Sequence, residues 1–152
     1  MQYDIMKETI YPNDFWRGIS SKDFITENGH LMATAFAFDK DIREDGYREL
    51  SINWEDDDNA LTSLLNQRKP ENKKLQFKAG ACKISLIDMK VSLRTYLNKD
   101  EFSYERREIE GNSYHGNLLI KGSLSKQERS IISTGLALLG DANIVSQTNT
   151  DL

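Results

Sequence analysis

The composition and charge of the chain indicate one globular domain and argue against several classes of partner. With 152 residues, of which 38% are apolar, the chain can bury roughly two thirds of its unfolded surface. A net charge of −4 argues against general affinity for nucleic acid, and no apolar run approaches the roughly 18 residues of a membrane span. The N-terminus lacks the basic-then-apolar order of a signal peptide, and the single cysteine cannot form an internal disulfide, so we expect a cytoplasmic protein.

Three strands are predicted in the first third of the chain. Residues 14–19, DFWRGI, are typical of a short strand. Residues 31–38, LMATAFAF, are apolar at both alternations and predict a buried strand. Leu50, Ile52 and Trp54 alternate with polar residues, which predicts a strand with one buried side.

Four carboxylates, at positions 55–58, stand between the third strand and a helix predicted over residues 58–67. Asp57 or Asp58 can accept hydrogen bonds from the free N–H groups of the first helical turn, where negative charge also suits the helix dipole. The alternative is a divalent-cation site, but the run lacks the alternating ligand spacing and the glycine of a calcium loop. We therefore expect helix capping and no metal site.

Two segments in the middle of the chain can each be interpreted in more than one way. Residues 89–97 alternate apolar and polar positions, which favours a strand, yet Met89 and Leu93 also fit a helix. Residues 75–86 alternate as a strand whose apolar phase changes near Gly80. A bulge at Gly80 would restore a single face. The residues then sharing that face are Leu75, Phe77, Cys82, Ile84 and Leu86.

The C-terminal third predicts two further strands and a helix. Residues 102–110 alternate with charged partners and indicate an edge or solvent-facing strand, and residues 114–121 follow as another strand. Residues 125–128, Ser-Lys-Gln-Glu, form a capping box that opens a helix running to Leu139.

These elements predict the α+β class. We expect an antiparallel or mixed sheet of about five to seven strands with two main helices on one face. The domain is predicted to cover residues 1–140, and residues 141–152 are predicted to form a C-terminal tail.

His115 and Asn117 are candidate ligand-binding residues because they share one side of the strand predicted over residues 114–121. Beside the small Gly116, His115 can approach a ligand closely and act as an acid, a base or a donor. The alternative is a structural histidine bonded at a sheet edge. Cys82 with His115 and Asn117 has the residue types of a thiol hydrolase, but its apolar surroundings do not favour a reactive thiolate.

Arg17 stands on an otherwise apolar strand, on the same side as Phe15 and Ile19. A buried arginine needs a carboxylate partner, which either this protein or a ligand could supply. An anionic ligand would explain the residue, because arginine grips such groups with two parallel hydrogen bonds.

Five short motifs occur along the chain in the order FWRGIS, ATAFAF, LSINW, FKAGA and YHGN. In this order they resemble a set of small uncharacterised bacterial proteins, over roughly residues 14–121. The resemblance implies no established activity. It implies that Arg17, Ser51 and His115 match motif positions and converge, and it does not include the acidic run at 55–58.

The sequence favours a small cytoplasmic bacterial protein that acts by binding, as an accessory, regulatory or immunity-type subunit of a multi-protein system. Charge segregation supports this, since residues 41–58 hold eight acidic and two basic residues and residues 68–107 hold five acidic and eleven basic ones. The partner would be another protein, with no cofactor. The alternative is an enzyme or ligand-binding domain, such as a transferase or hydrolase for an anionic substrate. Its candidate residues are Arg17, Ser51, His115 and Asn117.

Overall fold

Residues 14–95 and 102–150 are described by a computed structural model, in which six strands form one antiparallel sheet. The strands are β1 (Asp14–Ile19), β2 (Tyr47–Trp54), β3 (Gly80–Ser85), β4 (Phe102–Arg106), β5 (His115–Lys121) and β6 (Ile144–Ser146). Their order across the sheet is β4-β5-β2-β1-β3-β6. The predicted α+β class with an antiparallel sheet of five to seven strands is confirmed.

In the described part of the chain, three α-helices cover the sheet: α1 (Asn59–Asn66), α2 (Leu86–Ser92) and α3 (Lys126–Gly140). The helices α2 and α3 pack on one face, which we call the α3 face, and α1 packs on the opposite α1 face. The two helices predicted from the sequence are both present, and they lie on opposite faces. The predicted capping box of α3 is present, with Ser125 Oγ accepting from the Glu128 N–H and Glu128 accepting from the Ser125 N–H.

The main hydrophobic core lies on the α3 face because alternate residues of the central strands turn apolar side chains to it. Trp54 is its largest fully buried side chain and packs edge-on against Phe15, with ring centroids 6.0 Å apart. A smaller cluster on the α1 face joins α1 to β1 and β3. Its members are Trp16, Ala60, Leu64, Leu65, Phe77 and Ala81.

The buried strand predicted over residues 31–38 is wrong, because the chain there forms a 3-10 helix over Ala33–Phe36. Ala35 and Phe36 are buried against α3, and Ser133 Oγ donates to the Phe36 carbonyl at 2.8 Å. An apolar run of this length carries no periodicity that separates a strand from a packed helical turn. The segment therefore covers the sheet instead of extending it.

The strand favoured for residues 89–97 is also wrong over its described part. Residues 86–92 form α2, which begins where Ser85 Oγ accepts a hydrogen bond from the Asp88 N–H at 3.2 Å. Leu86, Met89 and Leu93 are buried at helical spacing, so the helical alternative in the sequence pattern was the correct one. Residues 96 and 97 lie outside the described residues.

The predicted bulge at Gly80 does not bring the flanking apolar residues to one face. Strand β3 begins at Gly80 itself, with a φ of +120°, and Phe77 lies before the strand. Cys82 and Ile84 are buried on the α3 face, whereas Phe77 packs with the cluster on the α1 face. The buried position predicted for Cys82 is confirmed.

The residues predicted as a C-terminal tail add a strand to the sheet. Strand β6 pairs with β3, placing Val145 opposite Ala81. Beyond it, Gln147 Nε2 donates to the carbonyls of Leu65 and Phe77 at 3.0 and 2.8 Å. The segment joins β3 to α1, so it is part of the fold through these contacts.

The acidic run acts at the start of α1 as the sequence predicts, through Asp57. Its Oδ1 accepts from the Asn59 N–H at 2.8 Å and from the Tyr114 hydroxyl at 2.8 Å. The hydrogen bond to Asp57 raises the pKa of Tyr114. Asp58 occupies the N-cap position, but its side chain makes no cap hydrogen bond.

Replacing Asp57 by alanine should lower the free energy of unfolding by about 1 kcal/mol, because one N–H of the first turn of α1 loses its acceptor. The matched control is Asp58→Ala, which should change that free energy by less than about 0.5 kcal/mol. Urea unfolding of both variants measures the difference. Equal losses in the two variants would contradict capping by Asp57.

Candidate functional site

Three of the four candidate residues lie together on the α1 face. Ser51 is in β2, and His115 and Asn117 are in the neighbouring strand β5. The register places Ser51 directly opposite Asn117, and His115 opposite Asn53. Ser51 is exposed although β2 is a central strand, so this part of the sheet is left open by α1.

Arg17 does not join them, which corrects the expected convergence of Arg17, Ser51 and His115. Its side chain lies on the α3 face, where Nε donates to the Ala35 carbonyl at 3.0 Å and an Nη atom donates to the Ser51 carbonyl at 2.8 Å. Burial lowers the pKa of Arg17 to about 10. Arg17 is on the other face because side chains alternate along a strand. It points to the same side of β1 as Phe15, which is in the main core, whereas Ser51 points away from that core.

Cys82 is Arg17's neighbour across β1 and β3 and lies on the same α3 face. Burial raises the pKa of the Cys82 thiol to about 12. His115 and Asn117 are on the other side of the sheet. The residue types of a thiol hydrolase are therefore separated by the sheet itself.

A cavity of about 310 Å3 opens on the α1 face beside β1, β2 and β5. Helix α1 and the segment after it contribute one part of the lining, and the segment between β4 and β5 contributes another. The ring of Phe77 packs directly on Gly18, where a Cβ atom would lie 2.3 Å from it. The sheet residues in the lining are Gly18, Ser51, Ile52, Asn53 and His115, and the others are Leu64, Gln67, Arg68, Pro70, Gln76, Phe77, Ile109 and Glu110.

A chain of side-chain amides runs along the cavity lining and holds its polar groups in place. Asn112 Nδ2 donates to Asn53 Oδ1 at 2.8 Å and to Gln67 Oε1 at 3.0 Å. Gln67 Nε2 then donates to Gln76 Oε1 at 3.0 Å, and Asn53 Nδ2 donates to the Ala60 carbonyl at 3.1 Å. Because each amide is oriented by the next, this network is a rigid, pre-organised surface.

The ring of His115 is oriented by the backbone immediately after the edge strand β4. Its Nδ1 lies 2.7 Å from the Arg107 carbonyl oxygen. A carbonyl only accepts, so Nδ1 carries a proton, and in the neutral ring Nε2 is left as an acceptor. His115 thus has the edge hydrogen bond of a structural histidine, and it also lines the cavity.

Asn117 is held by a buried ion pair next to the cavity. Its Nδ2 donates to Glu105 Oε2 at 2.8 Å, and Arg43 donates to both carboxylate oxygens of Glu105 at 2.8 and 3.2 Å. Burial acts to raise the pKa of Glu105, but the hydrogen bonds from Arg43 and Asn117 outweigh it, so the pKa lies below its ordinary value. The hydrogen bond to Glu105 also raises the pKa of Arg43.

Four residues of this region carried no recognisable signal in the sequence: Arg43, Glu105 and the amide pair Asn53 and Asn112. Glu105 was interpreted as one of several charged residues on a solvent-facing strand, yet its side chain is only 4% exposed. The row Ser51, Asn117 and Glu105 exists because β2, β5 and β4 are neighbours in this register. No local pattern encodes that pairing, since it depends on strand order.

No family model, curated protein or solved structure matches the chain. Within residues 14–95 and 102–150, no helix is long and apolar enough to cross a membrane. The same residues contain no group of three or more histidine, cysteine, aspartate or glutamate side chains that could hold a metal ion. The function is therefore inferred from the geometry of the cavity.

Proposed function

We propose that the protein is a binding domain for a small polar ligand that occupies the cavity on the α1 face. The observation that carries the proposal is the convergence of Ser51 and His115 on one concave, pre-organised surface. The cavity volume of about 310 Å3 is at the lower end of the roughly 300–1,000 Å3 typical of ligand sites, which suits a small molecule.

The lining combines apolar surface with a few oriented polar groups, which is the usual composition of a ligand site. Leu64 and Phe77 supply apolar contact, and Ser51 and His115 supply groups that can fix the orientation of a ligand. The basic segment over residues 68–74, RKPENKK, contributes Arg68 and Pro70 to the lining.

The transferase or hydrolase hypothesis depended on Arg17 as the residue that grips an anionic substrate. Arg17 donates to two backbone carbonyls on the α3 face instead. Binding alone is therefore the function that the cavity residues support best, and a transferase or hydrolase activity would need an anion-binding residue other than Arg17.

The proposal is tested by screening a fragment library that contains cationic, anionic and neutral compounds against 15N-labelled protein by NMR. Compounds that bind should shift the backbone amide signals of Gly18, Ser51 and His115 together. The variant Ser51→Phe should weaken these compounds at least about tenfold, because a ring at this exposed position fills the cavity, while the melting temperature stays within a few degrees.

The matched control is Ser123→Phe, which adds the same ring at an exposed turn position away from the cavity. It should leave binding of every hit unchanged. Hits that bind equally to the wild type and to Ser51→Phe, or a library without any compound that shifts the cavity signals, would overturn the proposal.

The protein partner expected from the sequence, in an accessory, regulatory or immunity-type role, stays a prediction. What supports it is a set of large apolar side chains that α2 and α3 leave exposed: Ile87 at 55%, Val91 at 61% and Leu138 at 71%. These residues are on helices of the α3 face, so a partner there would not compete with a ligand in the cavity.

A further inference from the structure

The strands β1 and β2 separate part-way along their length and leave an opening in the sheet, which we call the fork. In the described part of the chain they pair at two positions, of which the last joins Trp16 to Asn53. Beyond it β1 stays paired with β3 as far as Ile19. The first half of β2 meets a different segment, because the Asp39 N–H donates to the Glu49 carbonyl at 3.0 Å. The sheet is therefore open between the end of β1 and the middle of β2.

The next hydrogen-bonded pair of this ladder would join Gly18 to Ser51. The Glu55 N–H donates to the Asp14 carbonyl at 3.2 Å, and in an antiparallel ladder every second residue pair exchanges hydrogen bonds. Steps of two from Asp14 lead to Trp16 and then to Gly18, whose register partner is Ser51. The pairing stops before this pair, so the Gly18 N–H lacks the Ser51 carbonyl as its acceptor.

Arg17 donates to the Ser51 carbonyl in place of Gly18. Its side chain lies on the α3 face, and from there an Nη atom reaches the Ser51 carbonyl at 2.8 Å. Its Nε donates to the Ala35 carbonyl at 3.0 Å. Because a guanidinium group presents its donors in a rigid plane, it holds these two carbonyls at a fixed separation. The side chain thus joins β2 to the segment that covers the fork on the α3 face.

The cavity on the α1 face lies over the fork. Gly18 lines it from β1, and Ser51 and Ile52 line it from β2. Ile52 turns its side chain to the main core on the other face, so the cavity reaches the sheet at the level of its backbone. A closed ladder would bring the two strands to their ordinary spacing of about 5 Å and would remove this part of the cavity.

We propose that Arg17 is a positioning residue for the cavity: it takes the Ser51 carbonyl, stops the β1–β2 ladder before Gly18, and so keeps the cavity open from the opposite face of the sheet. Arg17 is not among the residues that line the cavity, so it acts through Ser51. The consequence for ligand binding rests on the proposed function. The consequence for the ladder does not, and it is measured separately.

The test is amide hydrogen exchange of the wild type and of Arg17→Met, read as the ratio of the Gly18 protection factor to that of Trp16. In the wild type Gly18 should be at least about tenfold less protected than Trp16, the scale of one hydrogen bond. Methionine has no donor for the Ser51 carbonyl, so the missing pair should form and the ratio should rise at least about tenfold. If Arg17 only stabilised the fold, its loss would lower the protection of both amides and would not raise the ratio.

The matched control is Arg48→Met, because Arg48 of β2 also donates to backbone carbonyls, those of Asp39 and Gly122 at 3.3 and 3.4 Å. Neither carbonyl belongs to a residue of the cavity lining, so this variant should leave the exchange ratio unchanged. Fragments that shift the Gly18 and Ser51 signals of the wild type should bind Arg17→Met about tenfold more weakly, since the closed pair competes with them by about one hydrogen bond. They should bind Arg48→Met as they bind the wild type.

The outcomes separate this inference from the proposed function. Equal protection of Gly18 and Trp16 in the wild type overturns the inference, and this measurement needs no variant, so it holds even if Arg17→Met does not fold. A ratio that stays constant or falls in Arg17→Met overturns it as well, and so do fragments that bind both proteins equally, which would leave the proposed function in place. If the ratios change as expected and no fragment binds, Arg17 keeps its role in the ladder and the proposed function fails.

Discussion

Replacing Glu105 by glutamine is expected to lower the free energy of unfolding by about 3 kcal/mol, the low end of the cost of breaking a buried ion pair. The Glu105 side chain is 4% exposed and accepts from Arg43 and Asn117. Glutamine keeps the shape of the side chain but removes the negative charge that compensates Arg43. Its NH2 group would also face the N–H donors of Arg43 and Asn117, which it cannot accept from. The low end applies because Arg43 keeps Asp45 and Glu49 as partners. Denaturant unfolding measures the loss.

The matched control for this prediction is Glu49→Gln, which removes another carboxylate from the same arginine. Glu49 is 30% exposed and lies 3.2 Å from Arg43, so solvent already screens the pair. Its loss should cost about 0.5 kcal/mol, the usual scale for an exposed ion pair. Similar losses for the two variants would show that Glu105 is not the counter-charge that anchors Arg43.

The Glu105 carboxylate also makes the free energy of unfolding depend on pH in a defined direction. The folded-state pKa of Glu105 lies below its ordinary value, so its contribution to stability is complete above the ordinary glutamate pKa of about 4.3. The contribution is lost as the pH falls through the lower folded-state pKa. The stability difference between wild type and Glu105→Gln should therefore shrink below about pH 4.3 and stay constant between pH 6 and 8. A difference that grows toward low pH would contradict this assignment.

Much of the fold follows from local patterns in the sequence. The strand over residues 14–19 has the predicted bounds, and α3 begins at its capping box. The secondary-structure predictions were wrong where apolar residues occupy every position, or where their spacing fits both a strand and a helix. Over residues 31–38 and 89–92, burial against α3 decides between helix and strand, and this contact lies far away in the chain.

The candidate site was predictable in part, because Ser51 and His115 each face away from the apolar side of their own strand. The same argument applied to Arg17 assigns it to the apolar side, together with Phe15. The predicted convergence of Arg17 with Ser51 therefore conflicted with the alternation of apolar and polar residues that the sequence already displayed. Glu105 and Asn112 could not be placed, since their roles follow from the strand order and from a turn that returns toward α1.

The strand β6 was missed because its local signal is weak: Ile144 and Val145 are followed by the polar residues SQTNTD. What makes it a strand is the open edge of β3, where Gly80 lies opposite Ser146. A short segment with two apolar residues gains its regular structure from that edge and from the hydrogen bonds of Gln147 to α1 and Phe77. Within this edge pairing, Gly80 is the position where the two backbones approach each other most closely.

Replacing Gly80 by alanine should lower the free energy of unfolding by about 3 kcal/mol, from backbone strain and from a clash. Gly80 has a φ of +120°, and a Cβ atom there would lie 2.0 Å from the Val145 carbonyl oxygen. Backbone atoms cannot move aside as a flexible side chain can, so the clash should also loosen β6. Amide hydrogen exchange at Val145 and Gln147 should accelerate more than exchange in β5.

The control that separates strain from clash is Gly29→Ala. Gly29 also has a positive φ, of +81°, but a Cβ atom there meets nothing within 4 Å. The Gly29→Ala variant should lower the free energy of unfolding by only about 1 kcal/mol, the penalty of the left-handed backbone for an alanine. The additional loss of unfolding free energy in Gly80→Ala, relative to Gly29→Ala, then measures how tightly β6 is held against β3. Equal costs for the two variants, with unchanged exchange at Val145, would mean that residues 144–146 are not clamped at Gly80 and that the segment behaves as the tail its sequence suggests.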